Sequence, residues 1–266
     1  MTSSEGRDEA RTRARLFLRA VLPLVRIAAR HDPATVARIR RLRARVQFTV
    51  PSEDLSATLV FDEGRLECRD GAETRPDLRF RFRSLRALNA FFSGKPSLPR
   101  VWGWWRPVVL LRVIQLLWVL RLITPGARAK SPTRRVLRVR LMVDLIARSL
   151  TELARAGHGE MRRLVAGSPD RVYQWSVGAD GVDPIAAYIR MQAGRIKTGR
   201  GLCPDREPFV HYAFRDAEAF LAVIDETDSQ MDGLRSGRFT THGSPEYTRK
   251  IALMTQRVDA LLTAEM

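Results

Sequence analysis

Residues 185–201 read IAAYIRMQAGRIKTGRG, and residues 55–71 read LSATLVFDEGRLECRDG. At a shift of 130 the two stretches align without a gap. Gly64-Arg65-Leu66 falls on Gly194-Arg195-Ile196, and Gly71 falls on Gly201. Before each glycine the apolar residues alternate, as Leu55-Ala57-Leu59-Phe61 and Ile185-Ala187-Ile189-Met191. A period of two marks a strand with one buried face. The glycine supplies a hairpin turn, so RLECR and RIKTG are read as the next strands.

The order of elements around these stretches repeats. Upstream, Val46-Phe48-Val50 and Tyr173-Trp175-Val177 alternate in the same way, each preceded by a helical region, Ala10–Arg43 or Arg134–Ala166. Downstream, a Pro-Asp pair follows in each half, Pro76-Asp77 and Pro204-Asp205. A strand and helix come next, through FRSLRALNAFF (82–92) and FRDAEAFLAVI (214–224), now at a shift of 132. Ser93-Gly94-Lys95 and Ser236-Gly237-Arg238 then lead to a strand ending at Gly103 or Gly243, and to a terminal helix over 107–123 or 245–263. A duplicated α+β domain explains this order economically. The expected domains are 1–123 and 134–266, joined by a linker over 124–133, TPGARAKSPT, rich in Pro, Gly and Ser.

The chain has 266 residues, 45% of them hydrophobic, which suits packed domains and excludes general disorder. Lys and Arg number 46 against 29 Asp and Glu, a formal net charge of +17. That charge points to an anionic partner. It is unevenly placed: residues 1–135 hold 28 basic and 12 acidic residues, and residues 136–266 hold 18 and 17. Between Asp77 and Asp144 there are 15 basic residues and no acid. Arg outnumbers Lys 42 to 4, which base composition explains; it does not explain missing acids.

Four of the five tryptophans, Trp102, Trp104, Trp105 and Trp118, lie inside this acid-free stretch. Residues 101–123 read VWGWWRPVVLLRVIQLLWVLRLI. Trp beside Arg at the end of an apolar run suits a membrane interface, because the ring is amphipathic and the guanidinium binds lipid phosphate. Arg112, Gln115 and Arg121 do not share a face, so a helix here is apolar nearly all round and is buried in protein or in lipid. A full span would place Arg112 near the bilayer centre at about 3 kcal/mol, and Pro107 interrupts the run. Interfacial insertion and burial in protein are both open. Arg100, Trp102, Trp104, Trp105, Arg106, Arg112, Trp118 and Arg121 are the candidate membrane-binding residues. The apolar stretch from Leu16 to Ala29 is broken by Arg19 and Arg26 and does not read as a signal peptide.

The pattern as a whole resembles the sterol carrier protein family of type two. The second half carries it through Gly194-Arg195-Ile196, Pro204-Asp205, the 209–214 strand, the 217–224 helix, and Ser236-Gly237-Arg238-Phe239 up to Gly243. The first half carries it through Asp62-Glu63-Gly64-Arg65-Leu66, Pro76-Asp77, residues 85–92 and Ser93-Gly94-Lys95. It departs afterwards, where Pro96, Pro99 and the Trp-rich segment follow. The resemblance covers residues 35–123 and 136–263. It implies two tandem α+β domains, each a mainly antiparallel meander sheet covered by helices. It also implies a non-enzymatic apolar tunnel accepting a sterol, acyl chain, phospholipid or isoprenoid/quinone intermediate. The implied lining is Ile189, Met191, Val210, Tyr212, Phe220, Ile224 and Phe239 in the second half. In the first it is Leu59, Phe61, Phe80, Phe82, Leu88, Phe91 and Phe92. For each single position plain core packing is the simpler reading, since a tunnel wall and a core wall have the same apolar pattern.

Other chemistries find no support in the sequence. His31, His158, His211 and His242 lack metal-ligand spacing, and His211 is expected to face away from Val210 and Tyr212 on its strand. No nucleophile elbow or phosphate-binding glycine loop stands in the required context. The acids Asp225, Glu226, Asp228 and Asp232 lack the order of a Ca²⁺ loop, because Gly233 comes too late. Cys68 and Cys203 are two thiols without a CxxC, which fits a reducing, cytoplasmic compartment. Arg38-Ile39-Arg40-Arg41-Leu42-Arg43 suits phosphates of either a nucleic acid or an anionic leaflet, or a solvated face. No nucleic-acid module accompanies it, so nucleic acid is disfavoured. The expectation is a cofactor-free, non-enzymatic lipid carrier peripheral to anionic membranes. An interaction scaffold or enzyme accessory domain with a closed tunnel is the alternative.

Overall fold

A computed structural model describes residues 3–124, 126–127, 129, 131–178, 184–225 and 235–264. The chain divides into two compact units, Met1–Arg121 with Ala260–Met266, and Leu122–Asp259. Each unit is α+β and holds one five-stranded sheet.

In the first unit β1 (Arg43–Val50), β2 (Leu55–Asp62) and β3 (Arg65–Asp70) form an antiparallel meander. β4 (Leu78–Arg81) joins the other side of β1 in parallel, and the three-residue β5 (Arg100–Trp102) closes the edge. The second unit repeats this with β6 (Asp170–Val177), β7 (Ile185–Gln192), β8 (Arg195–Arg200), β9 (Val210–Phe214) and β10 (Phe239–Gly243). The registers agree strand by strand. Val46 pairs with Leu59 and Leu78, and Tyr173 pairs with Ile189 and Val210.

Register corrects one detail of the alignment. The amide of Asp77 donates to Arg45 O at 2.8 Å, and the equivalent donor in the second unit is Phe209, to Val172 O at 2.8 Å. Pro208-Phe209, and not Pro204-Asp205, therefore occupies the place of Pro76-Asp77. The two units share a backbone amide at this place, which any residue but proline supplies, while the Asp77 carboxylate, which accepts from the Arg45 amide and Arg106, has no counterpart at Phe209.

Gly103 and Gly243 mark the same corner of the two sheets. Their φ values are +91° and +107°, and a Cβ would lie 2.2 Å from Asp77 O and 2.1 Å from Phe209 O. Only glycine combines that angle with that approach. Gly243→Ala is expected to lower unfolding free energy by about 2–4 kcal/mol, from backbone strain and overlap together. Gly201→Ala is the control, since Gly201 also has a positive φ but nothing within 4 Å of its Cβ. Urea unfolding of both variants reads the difference.

Each sheet has one face under helices. In the first unit α1 (Ser3–Leu16) runs into a π turn at Phe17–Val21 and a 3₁₀ turn at Leu22–Leu24, then α2 (Val25–His31). Pro23 lacks an amide hydrogen, so the regular ladder cannot continue past it, and the two irregular turns absorb the break. Leu16, Leu18, Leu22, Leu24 and Val25 are buried there. α3 (Pro33–Ile39) starts on Asp32, whose carboxylate accepts from the Thr35 amide at 3.0 Å. α4 (Leu85–Phe92) is capped by Ser84, and α8 (Ala217–Ile224) by Asp216 at the equivalent position.

In the second unit α6 (Pro132–Arg155) lies against β7 and β8. Its Asp144 is 4% exposed, and it accepts from Arg200 Nε at 3.0 Å, Arg200 Nη2 at 3.2 Å and Arg148 Nε. Burial pushes this carboxyl up, but the hydrogen bonds and charges of Arg200 and Arg148 outweigh it and hold the group below the usual carboxylate range. Arg138, 3% exposed, makes a two-pronged bond to Asp225 at 2.7 and 2.6 Å. The helical region 134–166 is two helices, because Gly157 at φ +82° ends α6 before α7 (Gly159–Ala166). α9 (Pro245–Thr263) is the terminal helix.

Candidate functional site

The Trp-rich segment forms β5, a turn and α5 (Pro107–Trp118), followed by a 3₁₀ turn over Val119–Ile123. α5 buries Val113 and Leu116 and packs against α3. Its other face is open and apolar apart from the half-buried Gln115. Val108 is 59% exposed, Leu111 57%, Ile114 40% and Trp118 64%. At 100° per residue these four fall within a sector of about 120°, opposite the buried pair. Trp102, Trp104 and Trp105 are also exposed, with Trp102 and Trp105 edge to face at 4.8 Å. One side of the helix is covered by protein and the opposite side is exposed. Among the described residues, no helix is long and apolar enough to cross a membrane.

Arginines frame this surface. Arg121 stacks on the Trp118 ring at 5.4 Å, and Arg106 pairs with Asp77. On the sheet face that carries Trp102, Arg79 stands directly opposite Trp102, and Arg81 stands opposite Arg100. Like charges facing each other across two strands destabilise the pair unless an anion lies between them. Arg100 and Arg106 are exposed, Arg121 is exposed, and Arg112 is half-buried on the flank of α5.

The candidate lining residues lie in the two cores. Leu59, Phe61, Phe80, Phe82 and Leu88 are buried in the first unit, with Phe91 and Phe92 half-buried. Their rings touch: Phe80 and Phe82 lie 6.4 and 5.4 Å from Phe91, Phe91 is 5.4 Å from Phe92, and Phe92 is 5.4 Å from Phe17. Ile189, Met191, Val210, Tyr212, Phe220 and Phe239 are buried in the second unit, with Ile224 half-buried. Tyr212 stacks on Trp175 at 5.5 Å and donates to Thr248 O at 2.8 Å, and burial pushes its hydroxyl well up. His211 does face away from Val210 and Tyr212. It meets Ser176 Oγ at 2.7 Å and lies opposite His242 on β10. Burial and the neighbouring His242 both lower its basicity.

The second unit also carries a groove of about 880 Å³ that the sequence did not signal. α7 forms one wall with Arg163 and Leu164, and α9 the other with Tyr247, Arg249, Leu253 and Met254. Arg171 of β6 also lines it. None of the expected lining residues takes part. Nothing in the sequence links α7 to α9, which are about 80 residues apart.

Among the described residues no group of three or more His, Cys, Asp or Glu could hold a metal ion. Cys68 and Cys203 are half-buried thiols outside any disulfide. Of the acids weighed as a Ca²⁺ loop, Glu226, Asp228 and Asp232, with Gly233, lie outside the described residues, while Asp225 holds Arg138.

No family model matches the chain, and no curated protein matches it. Solved structures do. Sterol Carrier Protein 2 from Yarrowia lipolytica, in its apo form, aligns at 9% identity over 47% of this chain and 91% of its own, with a TM-score of 0.33. Sterol carrier protein domain 2 of Helicoverpa armigera aligns at 12% identity over 53% and 98%, with a TM-score of 0.31. Sterol Carrier Protein 2 Like 2 from Aedes aegypti aligns at 19% identity over 46% and 97%, with a TM-score of 0.27. The architecture given above rests on strand order and register, not on these alignments.

Proposed function

We propose that this chain is a non-enzymatic lipid-binding protein that docks on anionic membranes through its first unit and holds a hydrophobic ligand in its second. The observation that carries the docking is the exposed apolar stripe of α5, ringed by arginines in a stretch with no acid. Burying such side chains is worth about 1.5–3 kcal/mol each, and basic residues near an anionic surface add about 1 kcal/mol each. Neither contribution needs a span. Residues 136–266, which hold most of the second unit, are nearly neutral in sequence, so little of the basic excess bears on the ligand. A sterol, acyl chain, phospholipid or isoprenoid would bind by loss of apolar surface, with no chemistry. In this reading the protein is cytoplasmic and peripheral.

Vesicle flotation tests it. The chain is expected to rise with vesicles of phosphatidylcholine and phosphatidylglycerol, to rise less as salt is raised, and to stay behind with phosphatidylcholine alone. Equal recovery with both vesicles, or none with either, overturns the docking. Mass spectrometry of gently purified protein reads the bound lipid. The ring-on-ring packing of the expected lining residues favours one second reading, a scaffold or enzyme accessory with closed cores. A protein consistently free of lipid would be its signature.

A further inference from the structure

The groove between α7 and α9 has the chemistry of a headgroup site. Its volume, about 880 Å³, falls in the range of roughly 300–1,000 Å³ typical of small-molecule sites. Four cations line it, Arg163, Arg171, Arg249 and Lys250, against two carboxylates, Glu160 and Glu246. Glu246 is occupied by Lys250 at 2.6 Å. Among the described residues Arg163 and Arg249 form no ion pair.

Arg171 is the distinctive group. Its guanidinium is clasped between two rings, 4.4 Å from Phe209 and 4.3 Å from Tyr247, so its position is fixed before any ligand arrives. The Tyr247 hydroxyl and the Tyr173 hydroxyl, two residues along β6 on the same face of the sheet, both interact with this guanidinium and keep it charged. Neither Arg171 Nη1 nor Tyr173 Oη reaches a partner at full hydrogen-bond geometry, so the guanidinium keeps capacity for an anionic acceptor. Beside these polar groups the walls are apolar. Leu253 is 48% exposed, and Leu164 and Met254 continue the same lining.

The geometry points to a site for an anionic single-chain amphiphile. Its phosphate or carboxylate bonds Arg171 with Arg163 and Arg249 around it, and its chain lies along Leu164, Leu253 and Met254. The assignment deepens the lipid-binding reading and rests on it, but it uses no residue of α5.

Calorimetric titration of the full chain with dodecyl phosphate, dodecanoate, dodecanol and inorganic phosphate tests it, with the amphiphiles kept below their micelle concentrations. The two anionic amphiphiles are expected to bind, dodecanol at least tenfold more weakly, and inorganic phosphate without saturable heat or competition. Arg171→Gln and Leu253→Glu should each weaken dodecyl phosphate at least tenfold. Leu253 is half in water, so its variant should keep the wild-type unfolding midpoint and remains informative if Arg171→Gln misfolds. Unchanged affinity in a folded Leu253→Glu overturns the site, as does equal binding of dodecanol. Competition by inorganic phosphate at equal strength makes it a free-anion site and overturns the amphiphile. Flotation separates the two readings: wild type that floats while Leu253→Glu binds normally fails the groove alone, and wild type that binds amphiphile but never floats fails the docking alone.

Discussion

Leu111→Glu combined with Trp118→Glu is expected to reduce partition onto anionic vesicles by about 100-fold while leaving the fold intact. The two side chains are 57% and 64% exposed, so replacing them removes little from the core. On a membrane each would bury its apolar surface, at about 1.5 kcal/mol at the low end. About 3 kcal/mol is lost from the pair, and each 1.4 kcal/mol is tenfold. The added carboxylates oppose the anionic surface as well. Circular dichroism and an unchanged unfolding midpoint show that folding is retained, and flotation across vesicle concentration reads the partition. The opposite face gives the contrast. Leu116→Glu puts a charge where the residue is 2% exposed, and it should cost stability before it costs docking.

Asp144→Ala is expected to be the most damaging single change in the second unit, at about 3–5 kcal/mol, because it strands Arg200 and Arg148 without their shared carboxylate. Trp175 on β6 reports the transition from inside that unit, while the other four tryptophans belong to the first. The pH dependence follows from the lowered carboxyl. A group whose folded pKa lies below its unfolded value stabilises fully above the unfolded value, about 3.9 for Asp, and loses that contribution as pH falls through the folded value. The gap between wild type and Asp144→Ala should therefore be constant above pH about 5 and narrow below about 3.9. A gap that widened on acidification would show that the carboxylate is not held by its arginines.

The strands and their turns were legible because each property is local. Alternation in 55–61 and 185–191 follows from one covered face, and Gly64 and Gly194 follow from a turn that needs positive φ. The match of Pro76-Asp77 with Pro204-Asp205 failed because it was read from side-chain identity, whereas the two units share only a backbone amide there and the first alone adds a carboxylate. The exposure of α5 could not be read at all. A helix apolar on every side is the same string whether it sits in protein or at a lipid surface, and only packing against α3 shows which face is left over. The groove was invisible for a related reason: Arg171, Tyr247 and Leu253 have no common period and come together only when β6 and α9 are placed.

The arginines around the tryptophans have a second consequence, for the protein in water away from any membrane. An open apolar stripe is a surface on which two copies could meet, and β5 is a sheet edge only three residues long, with Arg81 facing Arg100 across it. Two such faces brought together would oppose like charges at close range, so the framing cations keep copies apart in dilute salt. The Debye length shrinks from about 8 Å at physiological salt to about 3 Å at 1 M. In the proposed docking, the ionic strength that would release the protein from a charged bilayer is also the one that lowers its colloidal barrier.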